Sequence, residues 1–134
     1  MLVQNAIQTP DGTILISLSV HDYKSHEDKV ANVYYSIDGG LEYRRIAASG
    51  PFLDLSIQDD DSFSHIRASL LRVSRGKNLD QPAKWVKLKD MSNDWLDALI
   101  VWIEEFQPEN RLKTYYLQEI EYRVKNDIHI KDEQ

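Results

Sequence analysis

Cysteine is absent from this chain of 134 residues. Its absence excludes disulfides, thiolate metal sites and thiol nucleophiles. Glycine occurs five times and proline four times, too few for a collagen-like repeat or a glycine-rich linker. No long apolar run occurs. The longest, Trp95 to Ile103, is short and interrupted by Asp97, which excludes a membrane-spanning helix. No basic and apolar leader opens the chain, so export is not expected and a soluble intracellular protein is. The strong catalytic motifs are missing too: there is no G-x-x-x-x-G-K-S/T loop, no G-x-G-x-x-G turn and no G-x-S-x-G elbow.

What is present is 42% hydrophobic and 28% charged residues. This composition predicts one globular domain over 1–134 with a single core. The formal net charge of −6 is unevenly spread. Residues 63–91 carry Arg67, Arg72, Arg75, Lys77, Lys84, Lys87 and Lys89 against only Asp80 and Asp90. The flanks are acidic, with the run Asp59-Asp60-Asp61 on one side and the helical third on the other. A basic centre on an acidic protein suits a small anion while long nucleic acid is repelled. The same charges also fit solvated strands paired with acidic helices.

The expected fold class is α+β: an N-terminal antiparallel β-sheet followed by two C-terminal α-helices. Strands are expected over about 1–91, helices over about 92–125, and a flexible polar tail over 126–134. Leu2 to Ile7 reads as a strand. Thr9-Pro10-Asp11-Gly12 reads as a turn. Thr13 to Val20 alternates Ile14, Ile16, Leu18 and Val20 with other residues, the period of a half-buried strand. Ser25 to Ala31 is polar and reads as a loop. Asn32 to Ile37 reads as a strand, and Asp38-Gly39-Gly40 is the best hairpin signal. Leu41 to Ala47 fits a strand or one helical turn. Phe52 to Ile57 reads as a strand, and a short helix is expected within Asp59 to Ser69. Leu70 to Ser74 and Lys84 to Lys89 read as two strands around a polar loop, Arg75 to Pro82.

Ser92 is a good N-cap for a helix from Asn93 to Phe106. Pro108 ends it. Trp95, Leu96, Leu99, Trp102, Ile103 and Phe106 project on one side, widened by Ala98 and Ile100 into an arc broader than a surface helix needs. That breadth favours a homo-oligomer. A second helix is expected from about Glu109 to Lys125, with Leu112, Tyr116, Ile120 and Val124 at i, i+4 spacing. Arg123 lies on this same side. It fits either a local ion pair with Glu119 or an anion held between subunits. Tyr115 and Tyr122 form a separate stripe.

The four histidines, His21, His26, His65 and His129, do not form a metal-ligand pattern. No carboxylate pair sits in an apolar context that would fit it for acid–base work. Binding is better supported than catalysis, so no catalytic residue, metal or cofactor is assigned. Arginine grips phosphate with a planar, permanent charge. The Arg75–Pro82 loop adds backbone N–H groups, and Asn78 and Asp80 suit ribose or base edges.

Several blocks occur in a telling order. They are Thr9-Pro10-Asp11-Gly12-Thr13, His21-Asp22-Tyr23, Asp38-Gly39-Gly40-Leu41 with Tyr43 and Arg45, Gly76-Lys77-Asn78-Leu79-Asp80-Gln81-Pro82, Trp85 through Ser92, and Glu119-Ile120-Glu121-Tyr122-Arg123. Together they resemble a family of small bacteriophage proteins that includes the first type of Thoeris anti-defence protein. The resemblance implies an oligomeric sponge, acting in the cytoplasm of the infected bacterial host. Such proteins sequester cyclic ADP-ribose isomers, and some hold cyclic oligonucleotides at a second site, without cleaving them. By position, it makes Arg45 the foremost pyrophosphate contact, with Arg44 beside it. Asn78 and Asp80 match the loop block. Leu70 stands where the resemblance implies an aromatic base-stacking residue, and Leu18 and Val20 replace basic residues of the His-Asp-Tyr block. Arg44, Arg45, Leu70, Arg75, Asn78, Asp80 and Arg123 are therefore the candidate ligand-binding set. The alternative is a phage protein that inhibits a host protein by direct contact through its acidic helices and aromatic residues.

Overall fold

The computed structural model describes residues 1–30, 32–76 and 78–132. The chain forms two compact units, Met1–Ser62 and Phe63–Gln134. Sheets are antiparallel and mostly N-terminal, and two long helices close the chain, so the class is α+β.

The first unit is all β. β1 (Leu2–Gln4) pairs with β8 (Ile57–Gln58). β2 (Ala6–Gln8) lies between β3 (Ile14–Ile16) and β7 (Leu53–Asp54). β4 (Lys24–Asp28), β5 (Val33–Asp38) and β6 (Arg45–Ala48) form a third sheet with β5 central. The expected strand Leu2 to Ile7 is therefore two, broken at Asn5. Asn5 turns its side-chain amide to the Asp38 carbonyl at 2.9 Å, and its own carbonyl accepts from Ser17 N–H at 3.0 Å. The Thr9–Gly12 turn closes as expected, with Gly12 N–H donating to Thr9 O at 2.9 Å.

Lys24 to Asp28 is a strand where the sequence reads as a loop. It is an edge strand of polar residues, and its inward positions are His26 and Asp28 rather than apolar side chains. His26 Nε2 sits 2.8 Å from Asp11 Oδ2, and fully buried Asp28 accepts from Asp11 N–H at 2.9 Å. Ala31, in the same expected loop, lies outside the described residues. Ile7, Leu15, Tyr35 and Ile37 form a core cluster of this unit, packed by Val33 and Ile46.

The second unit begins with α1 (Phe63–Ser69), followed by the antiparallel ribbon β9 (Leu71–Ser74) and β10 (Lys84–Lys87). A 3₁₀ turn at Leu88–Asp90 leads to α2 (Asn93–Phe106). Ser92 caps α2, its hydroxyl accepting from Trp95 N–H at 3.1 Å. α3 (Lys113–Asn126) ends at Asp127, which adopts the left-handed conformation. Lys113 meets Glu104 at 3.5 Å.

α2 buries Leu96, Leu99, Ile100 and Ile103, and leaves Val101, Trp102 and Phe106 exposed. α3 buries Tyr116, Glu119 and Arg123, whereas Val124 faces solvent. The i, i+4 set fails at Val124 because each step of four advances the helix about 40° past a full turn. Three such steps carry Val124 off the buried face.

Within the expected tail, α3 runs to Asn126 and Ile130 hydrogen-bonds Asn93. Asn93 N–H donates to Ile130 O, and Ile130 N–H donates to Asn93 Oδ1, both at 2.9 Å. Ser92 also hydrogen-bonds Asp132. Residues 133–134 of that tail lie outside the described residues. Among the described residues no helix is long and apolar enough to cross a membrane.

Candidate functional site

The outer face of the β4–β5–β6 sheet follows from its register. Cross-strand partners share a face, so Glu27 and Tyr34 lie together, as do Ser25 and Ser36, Ser36 and Ala47, and Asp38 and Arg45. Small side chains, Ser25, Ser36 and Ala47, form the middle. Tyr34 stands over one end, and Asp38 and Arg45 over the other. Tyr23, just before β4, leans onto this face, its hydroxyl 3.4 Å from that of Tyr34.

The turn between β5 and β6 brings Tyr43 to the same edge. Gly39 and Gly40 have φ of 106° and 56°. A side chain on Gly39 would collide with Tyr43 backbone, and one on Gly40 with Ser19 backbone. Glu42 and Tyr43 N–H both donate to Gly39 O, at 3.1 and 3.3 Å. Of the two readings of Leu41–Ala47, a strand or one helical turn, its second half is strand β6 (Arg45–Ala48), reached through a hydrogen-bonded turn over Gly40–Glu42.

Arg45 then lies with its guanidinium carbon 5.5 Å from the Tyr43 ring centroid. Among the described residues it has no ion-pair partner. Tyr23, Tyr34 and Tyr43 are 56%, 56% and 41% exposed, so all three rings are open to a ligand.

The two facing phenols differ. Hydrogen bonds from the Ser25 hydroxyl and then from Tyr23 hold Tyr34 below the ordinary phenol value. The bond to Tyr34, above all, raises Tyr23, and the Asp38 charge adds to the rise. The face thus offers planar stacking surfaces, hydroxyl donors and acceptors, one open guanidinium and the carboxylates Glu27 and Asp38. That chemistry binds a planar ring, sugar hydroxyls and a phosphate. Among the described residues no group of three or more His, Asp or Glu side chains is placed to hold a metal ion.

The candidate residues fall into different places. Arg44 and Arg45 are adjacent but diverge: Arg44 Nη1 pairs with Asp54 at 2.7 Å, whereas Arg45 is free of carboxylates. In the second unit, Arg75, Asn78 and Asp80 share the exposed loop between β9 and β10, closed by Gln81 N–H donating to Arg75 O at 2.9 Å. Lys77 of that loop lies outside the described residues. The ribbon below it carries Arg72, Ser74, Lys84 and Val86 on one face.

Two assignments need correction. Leu70 is 2% exposed. Its N–H donates to Ile66 O at 2.8 Å and its carbonyl accepts from Leu88 N–H at 2.7 Å, so it is core, with no surface to offer a base. Arg123 is also buried, and protein acceptors engage its guanidinium. Nε meets Glu119 at 2.7 Å, Nη1 meets Asn93 Oδ1 at 2.9 Å, and Nη2 meets Leu88 O at 3.0 Å. Of the two readings left open for Arg123, the local pair is the one found.

Sequence reasoning missed the second arginine on Glu119. Arg67 grips the same carboxylate with two bonds, at 2.7 and 3.0 Å, and lies over the Tyr122 ring at 4.4 Å. It also missed Tyr34, whose signal is the alternation of Tyr34, Ser36 and Asp38 against inward Val33, Tyr35 and Ile37, and placed Tyr23 only within the His-Asp-Tyr block, not in the site.

A cleft of about 340 Å³ opens in the second unit beside Leu96, Ile120, Val124 and Ile128, rimmed by Asp97 and Asp127. Its lining also holds Arg123 and His129, but Arg123 is engaged by Glu119, Asn93 and Leu88 and His129 by Asp127, so the sheet face with its open Arg45 is the better candidate. Comparison with known protein families, curated proteins and solved structures finds no match for this chain.

Proposed function

We propose that this protein binds and sequesters a cyclic nucleotide immune signal, a cyclic ADP-ribose isomer or a cyclic oligonucleotide, without cleaving it. The proposal makes it a phage anti-defence sponge, working as a homo-oligomer in the cytoplasm of the infected bacterial host. One observation carries it. Tyr23 from the His-Asp-Tyr block, and Asp38, Tyr43 and Arg45 from the Asp-Gly-Gly-Leu block, come together on one open sheet face. Those are blocks on which the resemblance to the phage family rests. Tyrosine rings stack the base, hydroxyls take ribose, and Arg45 takes phosphate. The loop bearing Arg75, Asn78 and Asp80 is a second candidate contact in the other unit. Neither long nucleic acid nor membrane is a partner in this reading, since the chain is net acidic.

Calorimetry with cyclic ADP-ribose isomers and cyclic oligonucleotides tests it. Heat of binding, followed by recovery of the intact nucleotide from the heated complex, is the expected result. No heat with any of them removes the proposal.

A second reading rests on the aromatic pair of α2. Trp102 and Phe106 pack at a tilt of 44° with centroids 5.8 Å apart and are 40% and 62% exposed. Acidic Glu104 and Glu105 adjoin them in the chain. This surface suits direct inhibition of a host protein. Co-purification of a partner that is lost in Trp102→Ser favours it. Tyr122 is the poorer variant, because its ring packs on Phe63 and Arg67.

A further inference from the structure

We infer that Asp38 and Glu27 set a ceiling on the charge of the ligand that this sheet face accepts. It selects phosphates tied up in a ring over those with free terminal phosphates. The inference rests on the sheet face being the ligand site.

The outer face carries one guanidinium, Arg45, and two carboxylates, Glu27 and Asp38. Among the described residues neither carboxylate has a cationic partner. Two nearby cations are committed elsewhere: Lys24 pairs with Asp22 at 3.1 Å, and Arg44 pairs with Asp54 at 2.7 Å. The face is therefore net negative before any ligand arrives. Asp38 sits directly across from Arg45, at a cross-strand Cβ separation of about 5 Å. That places a phosphate on Arg45 within the roughly 10 Å over which charges still act at ordinary salt.

One phosphate charge is matched by Arg45. Each further charge meets Asp38 and, more weakly, Glu27, and among the described residues of β4, β5 and β6 Arg45 is the one cation on this face without a carboxylate. Cyclisation through phosphate removes terminal phosphate charge while keeping the base, ribose and diester that the tyrosines, serines and arginine recognise. A nucleoside triphosphate keeps those groups but adds uncompensated charge. At separations of roughly 8 Å in a water-like dielectric, each added charge costs about two- to fivefold in affinity at low salt.

The test uses four adenine nucleotides of rising charge: 3′,5′-cyclic AMP, cyclic ADP-ribose, ADP and ATP. Each is titrated into the intact protein at low ionic strength and again at high salt. The variants are Asp38→Asn and Glu27→Gln. Asn keeps an oxygen to accept from Gly39 N–H, the bond that Asp38 Oδ1 makes at 2.8 Å. Should Asp38→Asn still fail to fold, the wild-type series at low and high salt carries the test, because Glu27 lies four β5 residues from Asp38, roughly 13 Å along the face.

Wild-type affinity is expected to fall along the series. Asp38→Asn should strengthen ATP and ADP by about threefold or more, and cyclic AMP by less than twofold, with the difference shrinking in high salt; Glu27→Gln, roughly 13 Å away along the strand, should have the smaller effect. ATP binding wild type as tightly as cyclic ADP-ribose, or variants that leave ATP unchanged, overturns the ceiling and leaves the sheet-face reading standing. No binding by any of the four overturns the ceiling, and if cyclic oligonucleotides and the other cyclic ADP-ribose isomers also fail to bind, the sheet-face reading falls with it.

Discussion

Asp38 and Arg45 stand directly opposite each other on β5 and β6, yet they form no ion pair. Asp38 is turned to the Gly39 N–H, and Arg45 lies over the Tyr43 ring. The turn chemistry keeps the two charges apart, so the guanidinium is left open. Arg45→Ala should weaken cyclic nucleotide binding by roughly 1.5–3 kcal/mol, the range of a charged hydrogen bond, without moving the melting temperature. Arg45→Lys should recover only part of it, because an ammonium lacks the planar fork. Calorimetry alongside a thermal melt separates the two effects.

Glu119 is the hinge of the second unit's stability. It is fully buried between Arg67 and Arg123. Removing it strands two guanidinium groups, one of them 2% exposed. Glu119→Ala should cost about 3–5 kcal/mol, as breaking a buried pair does. Arg67→Ala should cost less, since that side chain is 18% exposed. Urea unfolding midpoints compare the two.

Gly39 tests the turn. Its φ is 106° and the space for a side chain is filled by Tyr43. Gly39→Ala should destabilise by more than about 1 kcal/mol. It should also loosen Tyr43, so that ligand affinity falls with stability, as paired melts and titrations would record.

Acid should weaken the first unit through Asp11. The Thr9 hydroxyl, and then His26, hold its carboxyl well below the usual carboxylate range. A carboxyl depressed in the folded state stabilises fully above its unfolded value of about 3.9 and loses that contribution as pH falls below it. Asp11→Asn should therefore lower the urea midpoint at pH 6. The gap to wild type should narrow steadily as the pH is taken from about 5 down to 3.

Short-range signals made much of this legible in the chain. The Thr9–Gly12 turn, the Asp38–Gly40 turn, the Ser92 cap and the bounds of α2 each depend on residues within a few positions of one another. Glu119 with Arg123 was legible too, being one helical turn apart. Val124 was misjudged because i, i+4 spacing drifts around a helix, and Lys24–Asp28 because an edge strand's inward polar residues look like loop.

By itself the sequence determined the fold class, the turns and caps, the basic ribbon and the absence of thiol chemistry, because these follow from backbone preferences and composition. Tertiary structure alone decided which charges are occupied and which are open. Arg44 reaches Asp54, Arg67 reaches Glu119, His26 reaches Asp11, and among the described residues Arg45 reaches no carboxylate. Ion pairing depends on separation through space, and residues far apart along a chain carry no mark of which of them will meet.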